Sequence, residues 1–280
     1  MPHRMSRHRA SPHPALGAFV HSYWALARDL TPLGGFTVTP DQFVEILFCG
    51  EPITAVDAHG CAPLPRCAVI GLLDAPLRLE ASGLIRCAAV RLHAWAKGPL
   101  LGSASDGRGF SASSHFDDIL EPVLAALREE RWDAIWRAFD AALLPRLRGG
   151  ARRPAQARPF LGEAAPLARD VGDAHGISRR QVERNVKALT GTSPKQLANL
   201  ARFQRVRDAL WANPDAGLAA LAAEVGYADQ PHLTRQFKRY AGVTPRQFQA
   251  QMARLRAWHE AEDAPSREVA IVQDPPEPGR

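Results

Sequence analysis

The spacing of hydrophobic residues divides the chain into a strand-like part and a helical part. Three short runs, at residues 43–48, 68–73 and 85–92, are dominated by apolar side chains and are separated by turns that contain Gly or Pro. Such runs are typical of β-strands. Strands so short and so close together predict an antiparallel sandwich or barrel.

A helical period replaces the strand pattern between residues 117 and 144. One apolar stripe contains Trp132, Ile135, Trp136, Phe139 and Leu143. Its members follow the spacing of three and four residues that places side chains on one face of a helix. We expect this face to pack on the core of a β-rich domain over residues 15–147, although the pattern also fits a dimer surface.

The second half of the chain repeats itself at an offset of about 51 residues. Residues 178–184 correspond to 229–235, and residues 191–197 correspond to 242–248. Each copy has the local signals of a helix-turn-helix. The repeat therefore predicts an all-α domain of two helix-turn-helix units over residues 160–258, and an α+β fold for the whole chain.

Single residues indicate where the helices of the second copy begin and end. Gly226 suits the left-handed conformation that ends a helix. Asp229 is a favourable N-cap for the next helix, and Pro231 falls in its first turn, where a missing N–H does little harm. We expect Leu233 and Phe237 to face inward, as we do Val182, Val186 and Leu189 in the first copy.

A long helix is expected between the two copies. Residues 194–212 form one helical stretch of 19 residues that Asn213-Pro214 stops, and such a helix spans roughly 28 Å. A rod of this length would hold two recognition helices about one DNA turn apart, ~34 Å. Three predicted capping boxes support the pattern, and they join Ser178 with Gln181, Ser193 with Gln196 and Thr244 with Gln247.

Charge distinguishes the two halves. Residues 1–150 carry no net formal charge, whereas residues 151–260 hold 18 Lys and Arg against 9 Asp and Glu. A basic module beside a neutral one is expected of a protein that binds nucleic acid. Residues 148–159 are predicted to be a linker, and residues 1–14 and the acidic residues 261–280 to be disordered tails.

Polar stripes on the second helix of each unit are the candidate DNA-reading surfaces. The predicted base-reading residues are Arg179, Arg180, Glu183, Arg184, Gln230, Thr234 and Arg235. The predicted phosphate-binding residues are Ser178, Lys187, Lys195, Lys238, Arg239 and Arg246. Arg and Gln can bond guanine and adenine in the major groove, and Lys suits phosphates. Glu183 has two interpretations, an acceptor for cytosine N4 or a brace for a neighbouring arginine.

A dense residue pattern runs through the second copy. It consists of Leu218, Gly226, Tyr227, Gln230, His232, Leu233, Arg235, Phe237, Lys238, Arg239, Gly242, Thr244, Pro245 and Phe248. This pattern resembles the DNA-binding domain of the AraC/XylS family of bacterial regulators. The resemblance implies a transcription regulator that binds double-stranded DNA and works with RNA polymerase. It places the family's base-contacting positions at Arg180, Glu183, Arg184, Gln230, Pro231 and Arg235.

Three positions depart from the family's pattern. Pro231 stands where a polar residue is common, and its side chain forms no hydrogen bond. In the first copy, Gly172 and Val186 replace the usual Ala and Phe. Because Gly within a helix costs roughly 1 kcal/mol relative to Ala, the first copy is expected to be less rigid.

The first half of the chain resembles, more weakly, the N-terminal domains of some members of that family. Such domains are β-rich, cupin-like barrels or sandwiches that serve for effector sensing or dimerisation. The resemblance implies an unidentified small-molecule effector and a homodimer formed through residues 15–147. It is carried by Tyr23-Trp24, Pro40-Asp41 and residues 44–48.

Catalysis is not expected from the residues. His59 and His93 stand alone, without the paired spacing of a cupin metal site. We therefore expect no catalytic residues, no metal and no cofactor. A non-specific architectural DNA-binding protein, and a metal-dependent cupin-like enzyme fused to a DNA-binding domain, are the alternatives.

The cysteines and the longest apolar runs bear on location. No C-x-x-C pair occurs among Cys49, Cys61, Cys67 and Cys87, so we expect reduced thiols that serve as small core residues. No apolar run approaches the ~20 residues of a membrane span. These features predict a cytoplasmic protein without a membrane partner.

Overall fold

The computed structural model describes residues 5–31, 34–101, 109–148 and 178–260. Within them, strands fill the N-terminal part and helices the C-terminal part, as the α+β prediction required. Most of the predicted linker, Gly172 with the first helix of the first copy, and the tail 261–280 lie outside the described residues.

The described strands form two antiparallel sheets. The strands are β1 Met5–Ala10, β2 Val20–Asp29, β3 Gly35–Val38, β4 Phe43–Cys49, β5 Thr54–Asp57, β6 Gly60–Pro63, β7 Cys67–Ile70, β8 Leu77–Glu80, β9 Leu84–His93 and β10 Phe110–Ala112. One sheet has six strands in the order β1-β2-β9-β4-β7-β10, and the other has four in the order β3-β8-β5-β6. The predicted sandwich or barrel thus corresponds to two facing sheets.

Most of the helices follow the strands in the chain. The helices are α1 Lys97–Leu101, α2 Asp117–Arg128, α3 Trp132–Arg148, α4 Arg179–Thr190, α5 Pro194–Ala212, α6 Leu218–Val225, α7 Gln230–Ala241 and α8 Pro245–Glu260, with short 3-10 helices at Pro14–Leu16 and Ala94–Ala96. Of these, α1 and the two short 3-10 helices precede β10. The predicted long helix is confirmed, because α5 spans 19 residues and ends at the cap Asn213.

The two faces of the six-stranded sheet belong to different hydrophobic cores. Side chains alternate between the faces of a strand, so neighbours on β4 point in opposite directions. Leu47 joins the core between the two sheets, where it lies with Phe36 and Leu79. Ile46 and Phe48 face the other way and are covered by α2 and α3.

The aromatic stripe on α3 is part of this second core. Ile135, Phe139 and Leu143 are fully buried, and Trp132 and Trp136 pack against the same cluster. The stripe therefore binds α3 to the sheet, and the expectation of core packing is confirmed.

The predicted disordered tail over residues 1–14 is wrong for its described part. β1 pairs with β2, with Ser6 opposite Ala27 and Ala10 opposite Tyr23. The edge of the sheet at β2 offers unpaired backbone N–H and C=O groups, which even a polar segment can satisfy. The basic composition of residues 1–14 conceals this pairing.

The second helix-turn-helix unit has a core of its own. Leu221 of α6 and Phe237 of α7 pack with Phe203 of α5 and Phe248 of α8. The rings of Phe203 and Phe237 lie 5.2 Å apart, and those of Phe237 and Phe248 lie 5.4 Å apart. These aromatic contacts fix α7 on the long helix.

Candidate DNA-binding surface and ligand cleft

The second unit is formed by α6, a tight turn and α7. α6 ends at Gly226, whose φ of 81° lies in the left-handed region that favours glycine. Asp229 then caps α7 by accepting the backbone N–H of His232 at 2.6 Å. Leu233 and Phe237 are buried, so the opposite face of α7 is turned to solvent, as predicted.

The outward face of α7 carries the predicted reading residues of the second unit. Arg235 is exposed, and Gln230 and Thr234 are half-buried. The predicted phosphate-binding residues near α7 are also exposed, namely Lys238, Arg239 and Arg246, as are Ser178, Lys187 and Lys195 of the first unit and the long helix. The second unit therefore presents a solvent-facing basic surface of the kind that duplex DNA attracts.

Arg202 on α5 holds the turn that precedes α7. Its Nη1 donates to the carbonyl oxygen of Gly226 at 3.0 Å, and its Nη2 donates to Asn199 Oδ1 at 2.8 Å. Its guanidinium carbon lies 5.5 Å from the centroid of the Tyr227 ring. Tyr227 contacts His232 of α7 edge to face, with ring centroids 5.3 Å apart. Arg202 thereby ties the long helix to the start of α7.

α4 carries the candidate reading residues of the first unit. Arg179, Arg180 and Arg184 are exposed. Arg179 Nε lies 2.9 Å from Glu183 Oε1, so in this structure Glu183 braces the side chain of Arg179. Exposed ion pairs of this i, i+4 type contribute little to stability. The pair can therefore open when DNA offers other partners.

Two of the three predicted capping boxes are complete. The complete boxes join Ser193 with Gln196 and Thr244 with Gln247. At Ser178 only one half forms, in which the backbone N–H of Gln181 donates to Ser178 Oγ at 3.2 Å. The Gln181 side chain instead bonds Asn185 and Arg184 farther along the helix. The prediction of a full box at Ser178 is therefore wrong.

The buried face of α4 packs against the N-terminal domain. Val182 and Val186 belong to the same buried cluster as Trp95 and Leu100. α4 contacts the 3-10 helix Ala94–Ala96 and α1. The first recognition helix thus shares a core with the β-rich domain, whereas the buried side chains of α7 pack within the second unit. The C-cap of α7, Gly242, also lies close to the side chain of Pro76 in the N-terminal domain.

A cleft that is partly open to solvent lies between the two sheets. Its apolar lining includes Trp24, Phe36, Phe43, Leu47 and Leu79. Sites for small molecules typically have apolar walls and a few polar groups. The lining of the cleft has this character.

The polar groups of the cleft form one charged cluster. Arg91, with an 8 % exposed side chain, donates to Asp41 Oδ2 and lies 3.5 Å from Glu45 Oε1. Trp24 Nε1 donates to Glu45 at 3.3 Å. Burial raises the pKa of Glu45 despite the nearby Arg91. Burial, with the charges of Arg9 and Arg91, lowers the pKa of Arg7, which also lines the cleft, to about 10.

Sequence reasoning did not single out Arg91 or Arg202. A charged residue within the apolar run 85–92 was a usable signal for Arg91, because a buried charge needs a partner. Arg202 gave no comparable signal. Its partner is a backbone carbonyl 24 residues away, and only the tertiary fold brings the two together.

The cysteines are free thiols, and three of them are buried: Cys49, Cys67 and Cys87. Cys61 is exposed, so its expected place in the core is wrong. It lies on β6, an edge strand whose residues are all exposed. Because residues of both faces of β6 are exposed, neither face of this strand is covered.

In the part of the chain that the structure describes, no group of three or more His, Cys, Asp and Glu side chains is arranged to hold a metal ion. Nor does any described helix combine the length and apolarity that crossing a bilayer requires.

Two family models match the chain. A model described as a helix-turn-helix domain matches residues 171–251, which include α4 to α7 and the first part of α8. A model described as a domain of unknown function, DUF6597, matches residues 8–106, which include most of the two sheets. No match was found among the curated proteins.

Solved structures of bacterial regulators are similar to the chain. ToxT from Vibrio cholerae O395 is 10% identical over 90% of this chain and 98% of its own, with a TM-score of 0.43. A transcriptional regulator from Chromobacterium violaceum, described among AraC-type DNA-binding domain-containing proteins, is 29% identical over 36% of this chain and 97% of its own, with a TM-score of 0.31. The C-terminal domain of AraT from Geobacillus stearothermophilus is 19% identical over 44% of this chain and 95% of its own, with a TM-score of 0.33.

The helix-turn-helix match agrees with the geometry of the C-terminal part. It covers a long helix between two recognition helices, and both recognition helices carry exposed arginines. The residue pattern of the second unit, from Leu218 to Phe248, lies within this match. On this ground, the chain is a DNA-binding transcription regulator with a helix-turn-helix domain of the AraC type over residues 171–251.

Proposed function

We propose that the protein reads two adjacent major-groove segments of one operator, with α4 in the first segment and α7 in the second. The proposed base readers are Arg179, Arg180, Glu183, Arg184, Gln230, Thr234 and Arg235. The proposed phosphate contacts are Ser178, Lys187, Lys195, Lys238, Arg239 and Arg246. The main support for this proposal is that the two recognition helices lie on either side of one 19-residue helix in the chain.

The length of α5 supports this arrangement. At about 1.5 Å per residue the helix spans roughly 28 Å, close to the ~34 Å of one DNA turn. The aromatic core holds α7 on α5, and Arg202 fixes the turn before it. Reading helices held at a fixed separation lose little freedom when they dock, which favours specific binding.

The N-terminal domain is proposed to control this docking through a ligand in the cleft. The apolar walls suit an apolar body, and the cluster around Arg91 suits a polar head group. Two further partners are proposed: RNA polymerase, and a second copy of the chain bound through residues 15–147. The proposed location of the protein is the cytoplasm. No enzymatic activity is proposed.

Selection from a random pool of duplex DNA tests the proposal. We expect one enriched operator with two segments a helical turn apart, bound about 10³-fold or more tightly than random duplex at the same salt concentration. Arg184→Ala should blur the bases of one segment, and Arg235→Ala those of the other. Equal affinity for operator and random DNA would instead support the non-specific architectural alternative.

A further inference from the structure

The cleft and the DNA-binding domain are joined at one short turn of the N-terminal domain. Gln42 Nε2 donates to the carbonyl oxygen of Leu197 at 3.1 Å. Leu197 lies in the first turn of α5, directly after the capping box at Ser193, and is buried in the same cluster as Val182 and Val186. This bond therefore ties the β-rich domain to the first turn of α5, which follows the short turn after α4.

Asp41, the residue before Gln42, lines the cleft. Asp41 Oδ2 accepts a hydrogen bond from Arg91, and Asp41 Oδ1 accepts the backbone N–H of Phe43 at 2.8 Å. One carboxylate thus holds both the charged cluster and the backbone turn from which Gln42 projects. Arg91 also lies over the ring of Phe43, with 4.3 Å between its guanidinium carbon and the centroid.

We propose that Asp41 and Gln42 form a relay, by which an acidic ligand that takes Arg91 away from Asp41 changes how the first helix-turn-helix unit is held. This inference rests on the proposed ligand role of the cleft. Losing Arg91 frees one oxygen of Asp41, the turn at residues 41–43 loosens, and the bond from Gln42 to Leu197 weakens. The packing of α4 then changes, because α4 and Leu197 belong to one hydrophobic core. The buried side chains of α7 belong to another core, so we expect α7 to stay unchanged.

An acidic head group suits Arg91 because its guanidinium already bonds carboxylates, Asp41 through Nη2 and Glu45 through Nη1. A single ligand carboxylate can take both Nη groups in bidentate geometry. Arg7 lines the same cleft and adds a second cationic group. An apolar acid would therefore replace Asp41 at Arg91 while its body fills the space between the sheets.

Hydrogen–deuterium exchange on the full chain, without ligand or DNA, tests the relay. Gln42→Ala should speed exchange in α4 and the first turn of α5 about fivefold, the factor expected for one lost hydrogen bond. α7 should be unchanged. Gln249→Ala is the matched control, because Gln249 Nε2 donates to the Ala216 carbonyl oxygen at 2.9 Å within the second unit. It should leave α4 unaffected.

Asp41→Asn imitates the ligand, because the amide keeps an oxygen for the Phe43 N–H but loses the charge that holds Arg91. It should speed hydrogen exchange in α4, as Gln42→Ala does. The double variant Asp41→Asn/Gln42→Ala should exchange no faster in α4 than Gln42→Ala alone. Glu121→Gln, which removes the exposed Arg66–Glu121 ion pair of 3.0 Å, is its control.

Additive effects in the double variant, or unchanged exchange of α4 in Gln42→Ala, would overturn the relay. Exchange is measured without DNA, so loss of the relay and loss of operator specificity are separate outcomes. A pool selection that enriches nothing would remove the proposed function and leave the exchange results as they are.

Discussion

Arg202 and Gly226 are joined by a hydrogen bond of 3.0 Å that connects the long helix α5 to the turn before the second recognition helix. Because the carbonyl lies just ahead of the Asp229 cap, the direction in which α7 leaves the turn depends on a residue of another helix. The orientation of the second reading helix is thus set by α5 as well as by its own sequence.

Arg202→Met should weaken operator binding about tenfold, since a hydrogen bond from a charged donor contributes roughly 1.5–3 kcal/mol. The loss should concentrate on the bases read by α7, as measured with operators altered in one segment at a time. Arg202→Lys keeps a donor and should recover part of the affinity. Arg205→Met, on the exposed side of α5, is the control. An equal loss at both segments would speak against a positioning role.

Arg235→Ala should cost about 1–3 kcal/mol of operator affinity and relax one base position. Its exposed guanidinium on α7 can reach a guanine edge with two hydrogen bonds. Titration against operators substituted at each base checks this. Arg239→Ala, one helical turn farther along, should lower affinity without changing base preference. Unchanged preference in Arg235→Ala would refute its base-reading role.

Lys238→Ala should weaken binding to all sequences alike. An ammonium group at a phosphate releases about one counterion, so the slope of log affinity against log salt should flatten by about 1. Affinities measured at four or more salt concentrations, on operator and random duplex, provide the check. A shift in base preference would contradict a phosphate contact.

Cys61 should react with a thiol reagent well before the other cysteines of the folded protein. It is exposed, whereas burial raises the pKa of Cys67 to about 12, and the hydrogen bond to Cys49 raises that of Cys87. A raised pKa leaves the thiol protonated and unreactive near pH 8. Mass spectrometry after brief alkylation checks this, with Cys61→Ser as control. Early labelling of Cys67 would disprove the predicted order.

Local signals in the sequence were sufficient for the second helix-turn-helix unit. Gly226, Asp229 and Pro231 act on their own backbone within a few residues, so their effects can be read without a fold. The buried positions Leu233 and Phe237 followed from helical spacing. The same reasoning gave the bounds of α5, because Pro194 and Asn213 mark its ends.

Signals that depend on which of several partners a group bonds in the folded chain were harder to interpret. The basic segment with Arg7 looked like a disordered tail, yet it pairs with the edge of β2. The side chain of Gln181 looked like half of a capping box, yet Asn185 and Arg184 compete for it. In each case the outcome depends on which groups are near in space.

The sequence by itself determined the second helix-turn-helix unit, the recognition helix of the first, their exposed basic faces and the length of the helix between them, because these follow from periodicity, caps and charge. Only the tertiary structure decided that α4 packs on the β-rich domain, and that Arg91 and Asp41 meet in a cleft one residue from Gln42. Such contacts depend on the packing of distant segments, which no local pattern encodes.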